Sequence, residues 1–166
     1  MRTGDGKLHM FVAIDRTSKF AFVRLEERAT SMTARAFLEA LIEAVPYRIH
    51  TIMTDNGIQF APLPKNRKGA TARYFGHPFG NLCRDHRIEH RLTKPKHPWS
   101  LRDQDLIQWI KSPENGQVER MNRTIKDATV KRFHYDNHDQ LRQHLSDFVD
   151  ADNFARRLKT LRGLTP

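Results

Sequence analysis

The chain has 166 residues, enough for one ordinary domain and too few for two well-cored ones. Apolar residues make up 38% of it, no apolar run approaches the roughly 18–20 residues of a membrane helix, and the opening MRTGDGKLHM lacks a secretory core. With 29 Lys+Arg against 19 Asp+Glu the formal charge is +10, and residues 61–100 alone hold nine basic and two acidic residues. Such a field attracts polyanions, nucleic acid above all; the plainer reading is a solvated basic surface. The one cysteine, Cys83, excludes an intramolecular disulfide framework and suits a reducing cytoplasm.

Residues 8–14, LHMFVAI, and 19–25, KFAFVRL, read as two strands of a β-hairpin separated by Asp15-Arg16-Thr17-Ser18. Thr30 or Ser31 caps a helix whose apolar positions Ala34, Phe37, Leu38, Leu41, Ile42 and Val45 have helical spacing, and Pro46 stops it. His50 to Thr54 is a short strand running into the turn Asp55-Asn56-Gly57. Residues 62–72 form a basic loop without periodicity. A short helix is expected over 78–86 and a strand over 88–92. Pro95 and Pro98 keep 93–99 out of a helix. A further short helix is expected over 103–111, then a long one from Asn115 to about Phe133, and a last one capped by Asn137 or Asp139. The order β, β, α, β, α, β, α, α predicts a single mixed α/β layer domain over 1–166.

Two acids stand out. Asp55 follows a buried strand, where α/β sheets collect ligands, and a carboxylate there suits a hard divalent cation; it also simply closes a turn. Glu119 opens the long helix and shares a face with Asn122, Arg123 and Lys126, opposite the apolar stripe Val118, Met121, Ile125 and Ala128. That face fits a metal-bound carboxylate beside phosphate contacts. It equally fits a solvated surface with a Glu119–Arg123 pair at i,i+4 and an acid complementing the helix dipole. Cys83, His86, His90 and His97 invite a zinc reading, but C-x2-H-x3-H-x6-H matches no standard finger. Trp99 and Trp109 read as packing anchors.

The segments Thr54-Asp55-Asn56-Gly57-Ile58-Gln59-Phe60 and Asn115-Gly116-Gln117-Val118-Glu119-Arg120-Met121-Asn122-Arg123-Thr124-Ile125-Lys126 together resemble the integrase catalytic core family, which includes retroviral integrases and bacterial insertion-sequence transposases. The resemblance spans nearly the whole chain. It implies a ribonuclease H-like mixed sheet flanked by helices. It also implies three acids that hold two Mg²⁺ (or Mn²⁺) ions for DNA cleavage and strand transfer, as in a DDE-type polynucleotidyl transferase. Asp55 matches the second acid and Glu119 the third. Asn122 and Lys126 match helix positions that face the DNA ends, Arg123 beside them is expected to bind DNA as well, and Lys65, Arg67, Lys68, Lys94 and Lys96 are expected to track phosphates. The implied partners are mobile-element ends and target DNA in a bacterial, nucleoid-associated cytoplasmic setting, with a possible homo-oligomer and no membrane.

Two departures accompany the match. The family's first acid lies on a strand preceding Gly6-Lys7-Leu8, so that strand is expected to be missing and the chain to be a truncated, impaired copy. Asp15 is assigned to its turn and not to the metal. Residues 100–114 form an unusual inserted segment before Asn115-Gly116. The alternatives are a non-catalytic nucleic-acid-binding remnant that uses residues 61–100, and a decayed fragment whose sheet exposes an unpaired edge.

Overall fold

The computed structural model describes residues 1–62, 76–93 and 116–166, and the backbone of 105–109. A small hairpin opens the chain: β1 (Arg2–Thr3) pairs antiparallel with β2 (Gly6–Lys7). Gly6 sits at φ 134°, a conformation L side chains rarely adopt. This hairpin, absent from the sequence reading, docks on the link between the last two helices: Gly4 N–H donates to the Tyr135 carbonyl at 2.9 Å, and Asp5 Oδ2 accepts from His138 N–H at 2.9 Å.

The expected strand hairpin forms as β3 (His9–Asp15) and β4 (Ala21–Glu26), with Ile14 opposite Ala21 and Met10 opposite Leu25. Helix α1 (Ser31–Ala44) starts at a reciprocal cap, in which Thr30 Oγ1 accepts from Thr33 N–H and Thr33 Oγ1 accepts from Thr30 N–H. Strand β5 (Thr51–Thr54), helix α2 (Pro78–Asp85) and strand β6 (Glu89–Leu92) follow near their expected positions. Helix α3 (Gly116–Ala128) ends before Phe133, because Thr129 to Phe133 tighten into turns such as Arg132 N–H to Thr129 O. Helix α4 (His138–Phe154) is capped by Asn137, whose side chain accepts from Gln140 N–H.

The expected helix over 103–111 is not there. Asp105–Trp109 is strand β7 instead. The five-stranded order is β4-β3-β7-β5-β6, so β7 lies at the centre, parallel to β3 and antiparallel to β5. The unpaired edge expected from a missing strand is therefore absent: β7 occupies the slot between β3 and β5. Main-chain groups on both flanking strands need partners there, and that demand outweighs the weak helical pattern of a short apolar run.

Alternation along β3 divides the core between the two sheet faces. Phe11 and Ala13 pack with Phe37, Leu38 and Leu41 of α1, and with Phe79 and Leu82 of α2. Met10, Val12 and Ile14 pack with Val118 and Ile125 of α3, and with Leu141, Leu145 and Val149 of α4. The result is a mixed sheet between two helical layers.

Candidate functional site

Asp55 is the first residue beyond β5, and the surrounding hydrogen bonds fix its loop. Asn56 Nδ2 donates to the Thr93 carbonyl at 2.7 Å, and Thr93 N–H donates to the Thr54 carbonyl at 2.9 Å, so the ends of β5 and β6 are tied together. Thr54 Oγ1 gives its single proton to the Asp55 carbonyl at 3.1 Å and lies 2.7 Å from His90 Nε2. Burial, reinforced by the nearby His77, pushes the His90 pKa down to about 4, so the ring is neutral.

The Asp55 carboxylate is half-buried. Its Oδ1 accepts from Gly57 N–H at 2.8 Å. Among the described residues its Oδ2 accepts nothing. Desolvation accordingly raises its pKa, and the Gly57 hydrogen bond offsets that only in part. A desolvated carboxylate with an unengaged oxygen gains from a positive partner.

Glu119 lies in the first turn of α3, half-buried. Among the described residues the Glu119–Arg123 ion pair of the alternative, solvated-face reading does not form. The helix face divides differently from the sequence reading. Asn122 is 1% exposed, on the buried side with Val118 and Ile125, so it does not belong to an outer face with Arg123 and Lys126. Arg123 is exposed and Lys126 half-buried. Lys65, Arg67, Lys68, Lys94 and Lys96 lie outside the described residues, as does most of the inserted segment 100–114.

The chemistry of the donors suits a hard cation, since both are carboxylates. Among the described residues, however, no group of three or more His, Cys, Asp or Glu side chains is placed to hold a metal ion. The zinc reading finds no support in Cys83: the thiol is buried and pushed up to about 12, so it stays protonated. His97 lies outside the described residues.

Asp15 is the turn residue the sequence suggested. It is 5% exposed at the end of β3 and accepts from Thr17 N–H at 2.8 Å, Ser18 Oγ at 2.9 Å and Tyr47 Oη at 2.8 Å. Sequence reasoning missed the supporting residues around both aspartates: Tyr47 under Asp15, and Thr54, Asn56 and His90 behind Asp55. His90 had drawn notice only as a zinc candidate; its position opposite Ile52 on β5 supplies the better explanation.

Among the described residues no helix is long and apolar enough to cross a membrane. No curated protein matches the chain. Solved structures do. The catalytic core domain of BIV integrase is similar with TM-score 0.64 and 20% identity, over 100% of this chain and 86% of that one. A chain of the simian T-cell lymphotropic virus intasome gives 0.62 and 23%, over 87% of this chain and 42% of that one. The HTLV-2 integrase catalytic core domain in complex with magnesium, in a trimeric form, gives 0.58 and 18%, over 92% and 77%. The fold is thus ribonuclease H-like. Models of the integrase core domain match residues 1–98 and residues 103–166. On that coverage, together with the fold, the chain belongs to the integrase core domain family.

Proposed function

We propose that the chain is a DNA strand-transfer core of the transposase/integrase type, working with Mg²⁺ or Mn²⁺ on mobile-element ends and target DNA. The observation that carries this reading is Asp55: a desolvated carboxylate with an oxygen unengaged among the described residues, held on a fixed loop at the end of β5. Asp55 and Glu119 would hold the metal. The chemistry a pair of divalent cations supplies is Lewis-acid activation of the attacking oxygen and stabilisation of the leaving one. Thr54, Asn56 and His90 keep the Asp55 loop in place, so the carboxylate does not reorganise when DNA arrives. Arg123 and Lys126 bind phosphates, and the basic stretch 61–100 tracks the backbone. A homo-oligomer brings two DNA ends together, and association with the nucleoid follows from the DNA partner.

The three-acid pattern implied by the resemblance is matched at Asp55 and Glu119. A second reading, favoured by the lack of a three-membered ligand group among the described residues, is a non-catalytic nucleic-acid-binding module. One experiment separates them: a Mn²⁺-dependent nicking and strand-transfer assay on duplex DNA, run beside calorimetric Mn²⁺ titration. Turnover and binding lost in Asp55→Asn and Glu119→Gln support the enzyme. Salt-sensitive DNA binding that is indifferent to both substitutions, with no metal uptake, replaces it by the binding module.

A further inference from the structure

Helix α4 and the turn that follows it carry opposite charges. From His138 to Phe154 the helix holds four aspartates and one arginine. From Ala155 to Pro166 there are four cations, Arg156, Arg157, Lys159 and Arg162, and no acid. Only part of this change of sign has a local explanation. Cations at a helix C-terminus complement its dipole, and Arg156 also closes an ion pair on the buried Asp152 at 2.6 Å. The dipole's influence ends within the last turn. Arg157, Lys159 and Arg162 lie beyond it, exposed, and among the described residues none of them has an acidic partner. Two other acids of α4 are engaged along the helix itself: Asp139 pairs with Arg142 at 3.1 Å, and Asp147 accepts from Gln143 Nε2 at 2.9 Å. The three cations do not hang on a loose tail. The chain closes on itself in a bridge between Leu158 and Leu164, around a 3₁₀ turn at Lys159–Leu161. Leu158 N–H donates to Leu164 O and Gly163 N–H to Leu158 O, both at 3.0 Å, and Arg162 N–H donates to Lys159 O at 3.1 Å. Arg162 (φ 55°) and Gly163 (φ 86°) reverse the chain in the left-handed region, where an arginine is less at ease than glycine or asparagine.

We propose that this closed turn is a second nucleic-acid contact, which binds phosphates of a DNA backbone without regard to base sequence. Three cations gathered within residues 157–162 on a fixed frame repel one another in the isolated chain. That repulsion is relieved when a polyanion neutralises them, and a run of phosphodiesters does so while releasing its condensed counterions. Because the hydrogen bonds of the loop already order the main chain beneath the cations, binding requires little further ordering there. The proposal rests on the DNA reading above and adds to it an element outside both the 61–100 stretch and α3. It involves neither Asp55 nor Glu119 and needs no metal.

The experiment is fluorescence anisotropy with a random-sequence DNA duplex in EDTA, over a series of salt concentrations. The triple variant R157Q/K159Q/R162Q should bind about tenfold or more weakly at low salt, with the slope of log affinity against log salt reduced by roughly two to three. A control of equal charge loss, R2Q/R28Q/R48Q, removes three exposed arginines from elsewhere on the chain and should change both quantities much less. Circular dichroism confirms that each variant is folded. A second measurement requires no variant: lysine acetylation of the unaltered chain, read by mass spectrometry, should fall severalfold at Lys159 when DNA is bound. Lys126 in the same spectrum reports the α3 contact of the strand-transfer reading, so the two fail separately. Labelling of Lys159 that ignores DNA, a triple variant no weaker than the charge-matched control, or a chain that does not bind the duplex overturns the proposal.

Discussion

Two aspartates end two strands of the same sheet, and in sequence they look alike. Asp15 follows the buried run of β3, Asp55 the buried strand β5, and each opens a turn. Their surroundings differ. Asp15 is filled from three sides, by Thr17 N–H, the Ser18 hydroxyl and the Tyr47 phenol. Among the described residues Asp55 has one donor, Gly57 N–H, and it sits in a place that penalises its charge. Because β3 and β5 run in opposite directions through the sheet, their C-terminal ends point opposite ways along it. A carboxylate whose lone pairs are already taken is part of the scaffold. One that is desolvated and has an oxygen unengaged among the described residues is a candidate for binding a cation.

The sharpest way to break this contrast is to exchange the fates of the two residues. Asp15→Ala removes the acceptor for three donors, leaves the Thr17 amide and two hydroxyls without it, and should destabilise the fold by about 3 kcal/mol in urea unfolding. Asp55→Asn removes a desolvated charge while keeping an acceptor for Gly57, so stability should hold or rise slightly. Metal-dependent strand transfer should nonetheless fall by roughly a hundredfold or more. Equal losses of stability in the two variants, with activity untouched by Asp55→Asn, would erase the distinction.

A second test probes what holds Asp55 in place. Burial keeps His90 neutral down to about pH 4 in the folded chain, whereas in the unfolded chain it takes up a proton near 6.5. The lowered pKa means that its contribution is complete above pH 6.5 and is lost as pH falls toward 4, because the unfolded state binds the proton first. The loss across that window is on the order of 3 kcal/mol. His90→Gln preserves a hydrogen-bonding partner for Thr54 and should flatten that part of the stability–pH curve, measured as the difference between the two proteins. Identical slopes would mean that His90 titrates normally and does not support the loop.

Local pattern carried most of the scaffold. The β3–β4 hairpin, α1 and α4 were legible because their apolar spacing, caps and stops lie within a few residues of one another. Asp55 and Glu119 were legible as candidates because each sits at an element end marked by neighbouring residues. Three features were not. Strand β7 owes its conformation to the slot between β3 and β5, a demand invisible within Asp105–Trp109. Asn122 looked like part of a polar face, but helix α3 is rotated so that 118, 122 and 125 meet the sheet. Tyr47, 32 residues from Asp15, satisfies that carboxylate only once α1 has folded back across β3. Sequence spacing describes what an element can do alone; these three depend on what it meets.

Tyr47 gives the smallest effect and the most specific one. Its phenol donates to Asp15 Oδ2 at 2.8 Å, and burial together with that carboxylate pushes its pKa up to about 12. A raised tyrosine pKa favours the neutral form in the fold, so its contribution is full below about pH 10 and fades as pH climbs toward 12. Tyr47→Phe removes one of Asp15's three donors and keeps the ring, so it should cost about 1 kcal/mol at neutral pH, well short of Asp15→Ala. Ultraviolet difference titration against Tyr47→Phe isolates this phenol from Tyr74 and Tyr135. It should ionise near 12 in the parent protein and lower in Asp15→Asn, where the neighbouring negative charge is gone but burial, the larger cause, remains. A Tyr47 that ionises near 10 in both proteins would mean that the phenol is neither buried nor bonded to Asp15, which then lacks its third donor. The aspartate at the end of β3 would then stand closer to Asp55 than its turn suggests.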